Sequence, residues 1–304
     1  MANILLRSPY YETATKAGAT TAQMRLYVGG SLKYTTSKST TSAGLALFEI
    51  AELSRDYLDV EFYGSYLPQT IAISGDIIHF NEEGIAVGSP YTFTHRGFDG
   101  YSYFEEGSGT TISSNALMQS NNVVYVPDNT SGVIPSEFSG DIRYNTFTPT
   151  QTSITVGTTT VAINRVCEPK FTPMKLTFVN KFGALQDLWF FKKSIKDINI
   201  SKERYKSSFI NASGSYSTHK HQKKTLTAMG TESMTINTGF VSEVINAPIK
   251  EVLLSEQVWA TIDGLVLPID INTESLTYKT SVNDKLINYT LTFDFAYDTI
   301  NNVR

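Results

Sequence analysis

Polar and apolar residues alternate most regularly near the end of the chain. Between residues 287 and 297, Ile287, Tyr289, Leu291, Phe293, Phe295 and Tyr297 interleave with Asn288, Thr290, Thr292, Asp294 and Ala296. Strand side chains alternate with period two, so the pattern predicts one two-faced strand. Its eleven residues, at roughly 3.3 Å each, would span about 36 Å. A strand of that length suits a sheet that continues across subunits or lines a barrel.

Shorter alternating runs fill the first half. Strands are expected at residues 4–6, 23–28, 32–36, 60–63, 70–74, 76–80, 91–94 and 123–126, with Gly29 and Gly30 as a tight hairpin turn. Ile50, Leu53 and Tyr57 give one short helix a buried stripe, and Glu49 and Glu52 suit the positive end of its dipole. Many short strands around one small helix predict a β-sandwich over residues 1–165. Residues 146–160, rich in Thr with Pro149 and Gly157, read as the hinge to a second domain at residues 166–304.

That second half reads as strands at 174–179, 186–191, 225–238, 258–261, 265–271 and 275–280 before the last strand. Asp263-Gly264 and Asn283-Asp284 are expected hairpin turns. Val241, Ile245, Ile249, Val252 and Leu253 stand at helical spacing over residues 242–255, and Pro248 either kinks that helix or sits in its first turn after Asn246 as cap. The expected architecture is an antiparallel sheet or barrel with one packed helix. The terminal strand and the tryptophans Trp189 and Trp259 would form its core.

Composition narrows the class. Charged residues make up only 18% of the chain, and Thr, Ser, Asn and Tyr take their place, as in strands with polar outer faces. The net charge of −4 conceals an asymmetry. Residues 190–224 hold nine basic residues against Asp197 and Glu203, a net of +7 that leaves −11 for the rest. Residues 192–224 read as a loop-rich basic excursion. Lys202, Arg204, Lys206, Lys220, Lys223 and Lys224 are its candidate subunit interface, because such asymmetry suits a surface of opposite sign. Tyr205, Phe209 and Tyr216 among these cations also admit contact with nucleic acid. Cys167 is the single cysteine, so no intrachain disulfide forms, and a buried structural thiol is expected. No signal peptide or membrane span is expected, and synthesis in a reducing cytoplasm follows.

Motifs for chemistry are sparse. His219 and His221 lack a third nitrogen or sulfur ligand, whereas a closed zinc site takes four. The acid pairs Glu82-Glu83 and Glu105-Glu106, with Glu52 and Asp56, read as surface carboxylates on turns. No nucleophile elbow and no phosphate-binding glycine loop occurs. No catalytic residue, metal site or cofactor is expected. Phe98, Tyr101 and Tyr103 lie among glycines at residues 97–109 and are candidate stacking surfaces for a glycan.

The run from Cys167 through Phe178 and Trp189 to Lys193 resembles virion proteins of tailed bacteriophages. Residues 253–259 and 276–290 resemble the same group, as does the opening stretch 4–10; the likeness lies mainly over residues 165–304. It implies a tail, baseplate or neck component that forms a homo-oligomeric ring. The C-terminal domain would be similar to tail-tube and distal-tail barrels, and the N-terminal sandwich to immunoglobulin- or fibronectin-like decorations. Implied partners are copies of itself, other tail or neck proteins, and DNA passing through the tail, with no membrane insertion. The implied location is the virion. The alternative is a receptor- or glycan-binding virion protein.

Overall fold

The structure, a computed structural model, describes residues 1–107, 111–208, 210–280 and 287–300. The expected turn at Asn283-Asp284, and Phe209 and Gly109, lie outside the described residues. The protein is mainly β, with nineteen strands and two short α-helices among the described residues.

The N-terminal half is built on a five-stranded sheet. β1 (Ala2–Leu5) pairs parallel with the strand after the next five, and β2 (Tyr11–Thr15) leaves for a separate ribbon. β3 (Thr21–Val28) and β4 (Ser31–Ser39) form the hairpin expected at Gly29-Gly30, where both glycines take positive φ. β5 (Leu45–Glu49) pairs with β2, and β6 (Thr70–Phe80) and β7 (Tyr91–Phe98) complete the order β1-β7-β6-β3-β4. The β2–β5 ribbon lies over this sheet in the manner of a sandwich. Ala14, Ala46 and Phe48 from the ribbon meet Met24, Leu26, Ile73 and Ile77 from the sheet in one core.

Helix α1 (Ala51–Arg55) closes that core with Ile50 and Ala51. The Glu49 carboxylate accepts the backbone N–H groups of Ala51 (2.8 Å) and Glu52 (3.1 Å), donors that a helix start leaves without intrahelical partners. Residues 60–63 are not a strand, contrary to their alternation. Val60 and Phe62 pack instead against Val179 and Leu185 of the second half, with no ladder partner.

Residues 146–160, expected as an irregular hinge, are largely strand and belong to a paired region. β8 (Val123–Pro127), β9 (Gly132–Phe138), β10 (Asp141–Phe147), β11 (Ser153–Val156) and β12 (Thr159–Val166) make two small sheets. β12 runs across residue 165 and pairs parallel with β8. The Thr-rich stretch reads as linker because its apolar members are few, but Val156 and Val161 are buried with Ile134, Phe147 and Ile163.

The C-terminal half is an all-antiparallel seven-stranded sheet. β13 (Met174–Val179) and β14 (Leu185–Phe190) form the expected hairpin, followed by β15 (Ile195–Lys206) and β16 (Lys223–Asn237). Helix α2 (Asn246–Leu254) precedes β17 (Val258–Ile262), β18 (Leu265–Ile271) and β19 (Thr290–Phe295). The order is β14-β13-β17-β18-β19-β16-β15. The sheet curls round one core in which Phe178, Phe190, Ile236, Ala260, Ile269 and Phe293 meet Ile249 and Val252 of α2. The backbone N–H groups of Phe191 and Lys192 both reach the Asn237 carbonyl at 3.1 Å, drawing β14 and β16 together. Asn246 is the first residue of α2 and not its side-chain cap; its amide donates to the Lys279 carbonyl (3.0 Å). Among the described residues, no helix is long and apolar enough to cross a membrane.

The two halves interlock. Asn180 donates to the Met118 carbonyl (2.7 Å), Tyr66 to Asp187 (2.5 Å) and Leu185 N–H to the Tyr144 hydroxyl (3.1 Å). Arg7 reaches Glu256 at 3.0 Å, and Arg55 bonds the other oxygen of the same carboxylate.

Candidate assembly surface

Strands β15 and β16 form a long, largely exposed ribbon. All twelve residues of β15 are exposed. β16 changes along its length, from exposed at Lys223 to buried at Met234 and Ile236. The reason is coverage. β19 pairs with β16 only from Ser233 to Asn237, so among the described residues the outer part of β16 has β15 as its ladder neighbour and one further backbone bond, from Thr299 N–H to the Gly230 carbonyl (2.9 Å). Beyond the body, therefore, the sheet narrows to a two-stranded arm. A two-stranded hairpin is marginal in water on its own, so an arm of this length suits a partner surface.

Strand β15 sorts its charge by face, and β16 adds one acid to its basic face, where Glu232 stands opposite Ile198 and pairs with Lys196 at 2.6 Å. Lys196 stands opposite Met234, a core residue, so the even-numbered residues of β15 continue the core face outward. They are Lys196, Ile198, Ile200, Lys202, Arg204 and Lys206. The opposite face carries both acids, Asp197 and Glu203, with Asn199 and Ser201. Near the tip a bulge leaves Leu226 extra between Thr225 and Thr227, and Lys206 then stands directly opposite Lys223. Tyr205 is opposite Lys224. Residues 207–222 close the tip, with Ser207 N–H donating to the Gln222 carbonyl (2.8 Å) and Lys220 N–H to Ser217 (3.1 Å). Ile198, Ile200 and Leu226 are about half exposed or more, at 49%, 58% and 66%.

The basic stretch is thus two paired strands and a tip, where a loop-rich excursion was expected. Period-two alternation shows in sequence only when one face is buried, and β15 buries neither. The six cations Lys202, Arg204, Lys206, Lys220, Lys223 and Lys224 do share the outer arm.

Ile287, Tyr289, Leu291, Phe293 and Phe295 are buried in the C-terminal core. Two expectations about this segment need correction. Tyr297 is 44% exposed, and the strand proper covers only Thr290–Phe295. At its far end Ala296 N–H still bonds the Pro268 carbonyl opposite it (3.0 Å), but a proline has no N–H to return, and at its near end Ile287 makes only an isolated bridge to Val241. Trp189 packs on the cluster of Val126, Ile134 and Phe147, and Trp259 on Phe62, so both tryptophans seal the junction between the halves.

Of the candidate glycan residues, Phe98 has no face for a ligand, and Tyr101 and Tyr103 are half-buried. Phe98 is fully buried, because β7 is covered by β1 and by Ala184. Tyr101 and Tyr103 meet edge to face at 5.5 Å, and the ammonium of Lys250 lies 3.5 Å from the Tyr103 ring centre. Cys167 is exposed, because it follows the end of β12. Among the described residues no three His, Cys, Asp or Glu side chains gather into a metal site.

One polar cluster was not foreseen from the sequence. Glu251, on the face of α2 turned to the first half, is 1% exposed. Its carboxyl accepts Lys181 N–H (3.3 Å) and bonds the Ser120 hydroxyl. Burial pushes its pKa up to about 7, against the pull of Lys181. Lys181 itself pairs with Glu106 at 2.6 Å. No sequence signal separates Glu251 from the surface acids around it.

No protein family's profile matches the chain, and no curated protein or solved structure matches it either.

Proposed function

We propose that the chain is a structural component of a bacteriophage virion, forming a homo-oligomeric ring in the tail, baseplate or neck and contacting neighbouring virion proteins there. The observation that carries the reading is the arm. A strand of twelve exposed residues, with cations and isoleucines on one face, extends the core face past the body. The remainder of the chain is net acidic, so a second copy of the same chain offers the opposite charge. The likeness of residues 167–193 to tailed-phage virion proteins supports the same reading. No catalytic role is part of it.

The test is native mass by light scattering at low and high salt, with negative-stain imaging of the same samples. The expected result is a closed oligomer that loosens in salt, since exposed charge contacts are screened. A monomer at both salt concentrations overturns the reading. Reversal of Lys220, Lys223 and Lys224 to Glu is expected to abolish the low-salt oligomer.

A further inference from the structure

We infer that the open cleft at the far end of the five-stranded sheet receives the arm tip of the next copy, joining subunits head to tail. This rests on the ring reading above and adds where the arm lands. The cleft has a volume of about 550 Å³ and is formed by three turns, at residues 18–20, 40–42 and 81–83. Glu82 and Glu83 are its charged lining, and no cation lines it. Its walls are held by their own bonds. Thr40 donates to the Ala19 carbonyl (2.7 Å), and the Asn81 side chain accepts the N–H groups of Glu83 (3.1 Å) and Ile85 (2.8 Å). The two carboxylates therefore stand on a fixed turn, exposed and at the rim.

The arm tip has the complementary character. From residue 204 to residue 224 the chain carries Arg204, Lys206, Lys220, Lys223 and Lys224 and no carboxylate. The remaining side chains there are mostly Ser, Thr, Asn and His, which suit a hydroxyl-lined cleft. Tip and cleft are different patches of the surface: the cleft is built by turns within residues 18–83, and the tip closes the β15–β16 ribbon of the C-terminal sheet. A donor and an acceptor on different patches make a heterologous contact, which closes into a ring when the rotation between copies allows.

The test uses full-length protein with two sets of charge reversals, Glu82→Lys with Glu83→Lys in the cleft and Lys220→Glu, Lys223→Glu and Lys224→Glu together in the tip, which leaves the tip net negative. All five positions are exposed, and circular dichroism checks that each variant folds. Light scattering at low salt is expected to show each variant alone as monomer, because its own tip and cleft then carry the same sign. Mixing the two is expected to restore large species, since each tip now meets a cleft of opposite sign. If the cleft variant assembles like wild type while the tip variant does not, the tip docks elsewhere and only this inference fails. A mixture that stays monomeric also overturns it. If both variants assemble unchanged, other contacts hold the ring and this inference alone fails; if wild type is monomeric, the ring reading fails with it.

Discussion

Lys206 and Lys223 stand directly opposite each other in the β15–β16 ladder, where the ribbon enters its tip. Like charges in cross-strand register disfavour pairing, and no carboxylate follows Glu203 until after Lys224 to offset them. The free arm thus keeps a local cost, which an anionic surface of the proposed partner copy would remove. Lys223→Glu is expected to act in opposite directions on two measurements. Amide exchange in β15 should slow in the free protein, because the pair becomes attractive. Assembly at low salt should weaken, because the arm loses a cation. Exchange that speeds up or stays the same contradicts the ladder assignment.

The core strand predicts a different failure. Phe293 is fully buried opposite Met234 and Ile271. Phe293→Ala should cost on the order of 3–5 kcal/mol through lost burial and the cavity left behind. Urea unfolding should show a lower midpoint with little change in slope. Tyr289→Asp with Phe293→Asp should leave no folded protein, since both carboxylates would enter the same apolar core. A folded double variant would remove β19 from the core.

The difference between these two elements explains what the sequence made legible. β19 was legible because one face is buried, so apolar residues recur at every second position. The hairpins at Gly29-Gly30 and Asp263-Gly264 were legible because positive φ at consecutive positions restricts the residues that fit. β15 was hidden because its ladder rests on backbone bonds and imposes no pattern on exposed side chains. The parallel pairing of β8 with β12 was hidden for another reason: its partners are about forty residues apart in sequence, and no local signal encodes such a contact. The acidic turn at Glu82-Glu83 was visible as a carboxylate pair, but the cleft beside it needs three turns from separate parts of the chain.

Glu251 makes stability depend on pH. Its carboxyl titrates near 7 in the folded protein, above the usual 4.5, chiefly because burial disfavours the anion; Lys181 and Lys250 oppose that shift and Glu106 adds to it. Between those two values the folded protein holds a proton that the unfolded chain has released. Stability therefore falls as pH rises through that window, by about 3 kcal/mol in total for a shift of this size. Glu251→Gln keeps a neutral hydrogen-bonding group in place. The variant should show a flatter dependence of urea midpoint on pH, with its largest gain over wild type above pH 7. Parallel curves for the two proteins would place the titration elsewhere.

Gly100 tests how tightly the two halves are joined. It lies against the turn between β13 and β14, where Tyr101 N–H donates to the Lys181 carbonyl at 2.7 Å. A Cβ at position 100 would sit 2.5 Å from that same carbonyl oxygen and 2.7 Å from the Leu5 side chain. Backbone cannot yield as a flexible side chain does, so Gly100→Ala should separate the 98–101 segment from the turn. The cost is expected to be on the order of 1–3 kcal/mol, as for other overpacked sites. Gly84 is the control, for its Cβ meets nothing within 4 Å and only its φ of +76° opposes a side chain; about 1 kcal/mol is expected there. Thermal melts of both variants decide the matter. A larger loss at Gly100, with protease cleavage appearing between the halves, fits a junction that holds the two together. Equal losses would mean that the contact at Gly100 yields, and that the bonds from Arg7, Asn180 and Tyr66 hold the halves without it.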